Sequence, residues 1–404
     1  MTVPMLSSAA ALVVALIAPL LPAQAHHVVP DDFPDIQAAV DAAAPGDIVL
    51  VRFGVTPWPS FQVDKSLSII GWNASYTAIT TIGLTDPERP VLIDLEPGER
   101  VDLIGLEFIE ASSSSGGVDG VVVRGGVVMM EDCRIKAGSL ATPGVIQVAL
   151  RAELTDLHLL RTWVESNSGG IAVWATNAKI HAASSRLFGG FAAPMGTMLQ
   201  LSELRASGCI MLGGDTGVGT GGIGLFADAG SRAWLSGTSI TGGFGSVGGA
   251  GIVNAGAAPI ELARSGVEGG LGFSPGPASI GPVTFNAKLL GVHAGRRLAQ
   301  VGTLRLGQWL TASFDGDAGE PLLLLAGVDL AQLPGTGLLA HSLDVAPPWL
   351  SVGAGVLDSV GSFAFGTVLP NDPALYDQSV WLQGISGVAA PFAVSPVVGG
   401  VIRR

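Results

Sequence analysis

The feature that most constrains the fold of this chain is a degenerate repeat of about 26 residues in its middle part. Short alternating runs recur around one marker residue per unit, and glycine pairs often separate the units. The markers are Leu106, Cys133, Leu157, Ser185, Cys209, Thr238 and Ser265, with spacings of 27, 24, 28, 24, 29 and 27 residues. A fixed period in this range indicates units that cannot bury an apolar face alone and must stack. The repeat therefore predicts a solenoid.

Each unit contains short apolar runs that can form two or three strands per coil. One set contains the markers. A second set is Val91–Ile93, Val121–Val123, Val145–Val148, Ile171–Trp174, Thr197–Gln200, Ile223–Phe226 and Ile252–Val253. Stacked parallel strands would bury one face as ladders of similar side chains and turn the alternate residues outward.

A short amphipathic helix is predicted before the first coil. Residues 34–45 read PDIQAAVDAAAP, and Ile36, Ala39, Val40 and Ala43 share one helical face. Asp32 or Pro34 can begin this helix, and Pro45-Gly46 ends it before a strand at residues 47–51. Such a helix would cover the exposed end of the solenoid, as terminal caps must.

Residues 33–51, FPDIQAAVDAAAPGDIVLV, resemble the capping segment of secreted right-handed parallel β-helix proteins, the pectin-lyase-like superfamily. That family usually continues with a Gly-x-Tyr-type turn, where this chain has residues 54–58, GVTPW. Residues 66–71, SLSIIG, fit the strand that follows, and with the repeats the resemblance covers about residues 30–272. It implies a right-handed parallel β-helix. It implies no particular activity, because the superfamily includes lyases, hydrolases, isomerases and members without a known reaction.

The period fails after about Pro275, and a second domain is predicted there. Residues 276–404 carry apolar runs punctuated by Gly, Pro and Asn-Asp, which is typical of a small antiparallel β-sandwich. These runs are Pro282–Phe285, Leu304–Phe314, Pro321–Val328, Leu338–Val345 and Val380–Gln383. Residues 356–365, 369–375 and 381–383 resemble a C-terminal β-rich module attached to many exported bacterial proteins, which implies an accessory or surface role.

The first 25 residues predict export. They contain no charged side chain, and an apolar run at residues 9–21 leads into Ala23-Gln24-Ala25, a small-x-small cleavage signature. The run is too short, and too broken by proline, to favour a membrane span. We therefore expect a signal peptide at 1–25, a β-helix with its cap at 26–275 and a β-sandwich at 276–404. The mature chain would be secreted, extracellular or cell-surface, with the periplasm as an alternative, and without a membrane span.

Charge and cysteine content restrict the partners and the covalent chemistry. The net charge is −13, with 33 acidic against 20 basic residues. Nucleic acid is therefore not an expected partner, because its binding needs clustered Lys and Arg. Cys133 and Cys209 occupy the same register three units apart, so about 14 Å should separate them at about 4.8 Å per layer. That separation exceeds the limit of about 7 Å for a disulfide, and we expect two buried free thiols.

One outer face would carry charges if the markers point inward. The residues after the markers are Glu107, Arg134, His158 and Arg186, and those before them include Asp132 and Asp156. Polysaccharide-cleaving members of the resembled superfamily use such a face. Asp132 and Asp156, predicted one layer apart, could hold calcium or serve as acid and base. His158 or Arg134 could take a proton or bind a uronate carboxylate. No other cofactor is indicated.

The same charges have a simpler interpretation as a solvated ladder of ion pairs on adjacent strands. The superfamily's own catalytic motifs are absent, so no residue is carried over from them. Trp174, Gln200 and Phe226, predicted in one register, could stack sugar rings, or could pack inward or lie under a loop. The sequence therefore favours a non-catalytic structural or glycan-binding protein. The alternative is a polysaccharide (polyuronide) lyase or glycoside hydrolase.

Overall fold

The fold is given by a computed structural model. It describes residues 25–402, except residues 53–56, 73–79, 85–89, 111–118, 138–146, 168, 264, 286–296, 302–305, 307, 328–329, 334–342, 346–349, 360, 372–374, 376–378, 389–391 and 396–397. The predicted signal peptide therefore lies outside the described residues, apart from Ala25.

The predicted N-terminal helix is confirmed. Helix α1 (Ile36–Ala42) buries Ile36, Ala39 and Val40 against the first coil. Its N-cap is Asp35, whose side chain accepts a hydrogen bond from the backbone N–H of Ala38 (2.8 Å). Asp32 does not begin the helix, because its carboxylate accepts a hydrogen bond from the N–H of Val28 (3.0 Å).

Each coil of the repeat contributes one strand to each of three parallel sheets, in the order A, B, C. The strands are numbered along the chain. Sheet A contains β1 (His26–Val29), β2 (Ile48–Arg52), β5 (Leu67–Trp72), β8 (Arg100–Ile104), β11 (Val127–Glu131), β14 (Asp156–Leu160), β17 (Lys179–Ala183), β20 (Glu203–Ser207), β23 (Arg232–Ser236), β26 (Ile260–Ala263) and β29 (Val283–Phe285). Strand β1, which the sequence did not predict, pairs with β2 and forms the edge of the sheet.

Sheets B and C complete the coils. Sheet B contains β3 (Trp58–Pro59), β6 (Thr80–Leu84), β9 (Leu106–Glu110), β12 (Arg134–Ala137), β15 (Trp163–Ser166), β18 (Arg186–Phe188), β21 (Ile210–Leu212), β24 (Ser239–Thr241) and β27 (Gly266–Glu268). Sheet C contains β4 (Gln62–Val63), β7 (Val91–Asp94), β10 (Val121–Arg124), β13 (Val148–Glu153), β16 (Ile171–Thr176), β19 (Met195–Gln200), β22 (Ile223–Ala227), β25 (Ile252–Asn254) and β28 (Ser279–Ile280). The predicted all-β parallel solenoid is confirmed.

The corner between sheets A and B explains the marker residues. A residue with positive φ makes each turn, for example Asp132 (52°) or Arg161 (49°), and the next residue points into the core. In the coils after Leu106 that next residue is Ser, Thr or Cys, and its side chain can donate to a carbonyl of the preceding coil. Thr162 Oγ1 donates to the Met130 carbonyl (2.9 Å), and Ser185 Oγ donates to the Leu159 carbonyl (3.1 Å). The repeat thus selects Ser, Thr or Cys at this position.

One marker assignment is wrong. Leu157 pairs with Val128 within sheet A, whereas the corner position of that coil is occupied by Thr162. The predicted register of this coil was therefore wrong by five residues. His158 and Asp156 lie on sheet A and not on the sheet that follows the corner. The two cysteines keep their predicted register three coils apart, and both are buried free thiols, as predicted.

The C-terminal domain is a small antiparallel β-sandwich, as predicted. One sheet contains β30 (Arg297–Val301), β31 (Trp309–Asp315) and β36 (Ser362–Val368). The other contains β35 (Leu350–Val356), β32 (Pro321–Gly327), β37 (Ser379–Ser386), β38 (Ala393–Val394) and β39 (Val398–Val401), while β33 (Leu330–Leu333) pairs with β34 (Leu343–Val345). Phe314 of the first sheet and Leu324 and Leu382 of the second share one buried core.

The run Pro282–Phe285, predicted for the sandwich, belongs to the solenoid instead. Residues 283–285 form β29, which pairs in parallel with β26. The parallel coils therefore continue past Pro275.

A tryptophan of the sandwich contacts the solenoid. Trp381 of β37 is 4% exposed and packs against an apolar patch on the outer face of sheet A. This patch consists of Ile48, Ile70, Ile104, Met129 and Leu160, which lie on successive strands. The second domain thus covers this outward-facing apolar patch and removes it from solvent.

Candidate functional site

The predicted site residues lie in three separate places. Asp132 is in the corner between sheets A and B, Arg134 and Arg186 are on sheet B, and Asp156 and His158 are on sheet A. Asp156 pairs with Val127, five residues before Asp132 on the neighbouring strand. At about 3.3 Å per residue along the strand and about 4.8 Å between strands, the Cα atoms of the two aspartates are roughly 17 Å apart. The structure therefore does not bring them together around one calcium ion or as an acid–base pair.

The carboxylate of Asp132 is bound by an arginine of the next coil. Arg161 Nε lies 2.8 Å from Asp132 Oδ1, and its Nη2 lies 3.2 Å from Oδ2. The same guanidinium pairs with the buried Glu131. Burial lowers the pKa of Arg161, but the two carboxylates outweigh this effect and raise it. Asp132 therefore serves as the ion-pair partner of a fixed cation.

Arg134 and Arg186 enclose a tryptophan on sheet B. Their guanidinium carbons lie 4.6 and 5.6 Å from the ring centroid of Trp163, which stands between them in register. Arg134 Nη1 also lies 3.2 Å from Glu107 Oε1. These contacts form a ladder of interacting charged and aromatic side chains on adjacent strands. This agrees with the interpretation of the charges as a structural ladder. They also occupy the ring faces that a sugar would need for stacking.

The predicted aromatic strip on sheet C is similarly engaged. Trp174 and Phe226 share a register with Met198, but Gln200 lies two residues beyond it, so its predicted place in the strip is wrong. The guanidinium of Arg151 lies over the Trp174 ring (4.7 Å), and Trp174 Nε1 donates to Gln200 Oε1 (2.9 Å). Both polar and aromatic surfaces of Trp174 thus have intramolecular partners.

A compact ionisable cluster forms on the outer face of sheet A. His158 and His181 are directly paired on adjacent strands, and their rings stack with a centroid distance of 4.7 Å and an interplanar angle of 9°. Asp156 Oδ1 lies 3.2 Å from Nε2 of His158 and 3.5 Å from Nε2 of His181. This oxygen is buried, and no hydrogen bond of good geometry reaches it from the described residues. One donor atom from each residue lies within 4.8 Å of the other two.

The environment fixes the charge states in this cluster. Burial lowers the pKa of His181 to about 3, and the neighbouring His158 acts in the same direction. Burial raises the pKa of Asp156, but interactions with His158, His181 and Lys179 outweigh it and lower the pKa to about 2. At neutral pH His181 is therefore a neutral imidazole beside an ionised carboxylate, which is the protonation state that metal coordination needs.

A different surface is built by the turns between sheets B and C. In four successive coils these turns begin with a glycine pair, at residues 189–190, 213–214, 242–243 and 269–270. We call them the glycine turns. Gly243 N–H donates to the Gly222 carbonyl and Gly270 N–H to the Gly249 carbonyl, both at 2.7 Å. Glycine is needed because a Cβ on Gly243 would lie 2.0 Å from the Gly214 carbonyl oxygen. The turn at residues 213–222 is thus one layer of a tightly stacked assembly.

The tips of the glycine turns carry exposed apolar side chains. Their exposed fractions are 63% for Phe191, 85% for Val218, 53% for Phe244, 73% for Leu271 and 101% for Phe273. We call these five residues the apolar ridge. Backbone hydrogen bonds from residue 192 to 215, from 216 to 244 and from 245 to 271 align the tips coil upon coil. Several exposed apolar side chains on the stacked turns of one sheet edge are typical of an interaction site, although Asp215 occupies the tip position between Phe191 and Phe244.

His181 and the apolar ridge were not predicted from the sequence. The spacing of residues within the repeat indicates both of them. His181 follows His158 by 23 residues, the distance from Thr162 to Ser185, so the corrected marker would have paired the two rings. Each glycine pair begins four residues after a marker and precedes the tip residue, which places Phe191, Phe244 and Leu271 in one column.

Within the described residues, no helix has the length and apolar character needed to cross a membrane. In comparisons with known proteins, no protein-family model and no curated protein sequence matches the chain.

Proposed function

We propose that this chain is an exported, extracellular protein that binds a neutral glycan along the apolar ridge without catalysis. The observation that carries this proposal is the set of exposed rings on the glycine turns. Phenyl rings stack on the C–H faces of sugars, and the packed glycine backbone holds them in place before the ligand arrives. Export rests on the N-terminal sequence, and the solenoid architecture suits a long binding surface.

The charges around the ridge favour a neutral ligand. Asp215 is the one charged residue in the glycine turns at 189–194, 213–222, 242–251 and 269–278. Asp215 Oδ1 accepts the backbone N–H of Phe244 (2.8 Å), so it supports the turn. A polyuronide would meet no cation there and would be repelled by the net charge of −13.

The lyase or hydrolase alternative loses its geometric support. General acid–base catalysis needs groups that converge on one bond. Asp132 is held by Arg161, and Arg134 and Arg186 enclose Trp163 on another sheet. Asp156 and His158 remain together, but the His158 ring is buried next to Trp381 of the sandwich.

Affinity electrophoresis against a panel of neutral and acidic polysaccharides tests this proposal. We expect retardation by at least one neutral polymer, loss of retardation in Phe244→Ala and Phe273→Ala, and no new reducing ends or unsaturated products. Leu271→Ala should weaken binding, while Leu154→Ala is the matched control, because both leucines are 73% exposed and Leu154 lies outside the ridge. Retardation only by polyuronides, or equal losses for the two leucine variants, would overturn the proposal.

A further inference from the structure

We propose that Asp156, His158 and His181 form a binding site for a divalent first-row transition metal ion such as Zn²⁺. Two imidazole nitrogens and one carboxylate oxygen are the donor set that such ions take in proteins. Calcium fits less well, because it prefers six to eight oxygen ligands. The site lies on a different sheet face from the glycine turns and is independent of glycan binding.

The two distances from the carboxylate oxygen are those of a coordination shell. A tetrahedral ion with metal–ligand bonds of about 2.0–2.2 Å separates its donor atoms by roughly 3.3–3.5 Å. Asp156 Oδ1 lies 3.2 and 3.5 Å from the two Nε2 atoms. The two rings, now nearly parallel, would tilt so that their nitrogens converge on the ion.

Two further observations point to a ligand at this place. Asp156 Oδ1 is a buried acceptor without an aligned donor, and an ion would satisfy it. The His158 side chain is 7% exposed, and its ring lies 6.1 Å from that of Trp381, so the donors are already ordered and largely dehydrated. The Asp156 side chain, 37% exposed, leaves a path from solvent.

The cations of the neighbouring positions do not block the donors. Lys179 pairs with Asp156 across the strands but its side chain extends into solvent. The guanidinium of Arg205, the next residue in the histidine column, lies over the ring of Trp234 (5.3 Å). An ion bound between β14 and β17 would therefore clamp two coils together at the place where the sandwich packs.

Titration of the purified, tag-free protein with Zn²⁺ and Co²⁺ tests the site. We expect one equivalent per chain, intense tetrahedral Co²⁺ absorption bands and a higher unfolding temperature with the ion. His158→Gln, His181→Gln and Asp156→Asn should each weaken binding more than about tenfold. The matched control is the double variant His26→Gln/His27→Gln, which removes the two histidines of β1 and should bind as the wild type does.

Binding that survives in His181→Gln, binding lost in the β1 double variant, or no binding to the wild type would overturn the proposal. If the cluster variants do not fold, zinc-edge X-ray absorption on the wild-type protein decides the matter. Two imidazole rings in the shell support the site, and fewer than two refute it. Glycan binding by the Phe244 variants is a separate readout, so the failure of either proposal is distinguishable from that of the other.

Discussion

His181 shows how burial at a single residue sets the pH response of the chain. Its pKa is lowered to about 3 in the folded protein, against 6.5 in the unfolded chain. Between these values the unfolded state binds a proton that the folded state does not, so stability falls as the pH drops below 6.5. Asp156, with a pKa lowered from 3.8 to about 2, adds a further loss only below pH 4.

Chelator-treated wild-type protein should therefore lose more stability between pH 7.5 and 5 than His181→Gln does. The expected difference is on the order of 2 kcal/mol, because 1.5 pH units separate pH 5 from the unfolded pKa. Denaturant unfolding of both proteins at the two pH values measures it. Parallel pH slopes for the two proteins would show that His181 is not a neutral buried imidazole.

At the scale of the element, the glycine turns are held by contacts between backbones. Gly243→Ala should cost about 1–3 kcal/mol, because the added methyl would meet the Gly214 carbonyl oxygen. Gly217→Ala is the control, since its Cβ would meet only a ring atom of Phe191 at 3.8 Å, and it should stay within about 0.5 kcal/mol of the wild type. Thermal unfolding measures both variants, and equal costs would contradict this packing.

The elements were more predictable from the sequence than the sites. The helix, the parallel solenoid and most of the sheet C strands follow from local periodicity in the sequence. The run predicted at Val145–Val148 is misplaced, because β13 spans Val148–Glu153, and residues 145–146 lie outside the described residues. The register is harder to predict, because the corner position is defined by the positive φ of the residue before it and by a hydrogen bond to a carbonyl of the previous coil. Leu157 resembles a marker in its surrounding letters, whereas Thr162 makes the hydrogen bonds. That one choice placed Asp156 and His158 on sheet B, whereas the structure has them on sheet A.

At the scale of the whole molecule, Trp381 joins the sandwich to the solenoid. Trp381→Ala should cost about 3 kcal/mol or more, because it removes a buried ring from an apolar patch on sheet A. Trp309→Ala is the matched control on β31, since Trp309 is 67% exposed. Hydrogen exchange at residues 100–104 and 127–131 should accelerate only in the Trp381 variant. Unchanged protection there would mean that the sandwich does not cover sheet A.

We propose that the glycine turns, and not the charged sheet faces, bind the ligand. Isothermal titration with an oligosaccharide of the best neutral polymer tests it most directly, using Phe244→Ala for the ridge and Arg186→Ala for sheet B. We predict that the ridge variant loses affinity about tenfold, equivalent to about 1.4 kcal/mol, while the sheet B variant binds as the wild type does. Normal binding by Phe244→Ala together with weakened binding by Arg186→Ala would show that sheet B, and not the apolar ridge, binds the ligand.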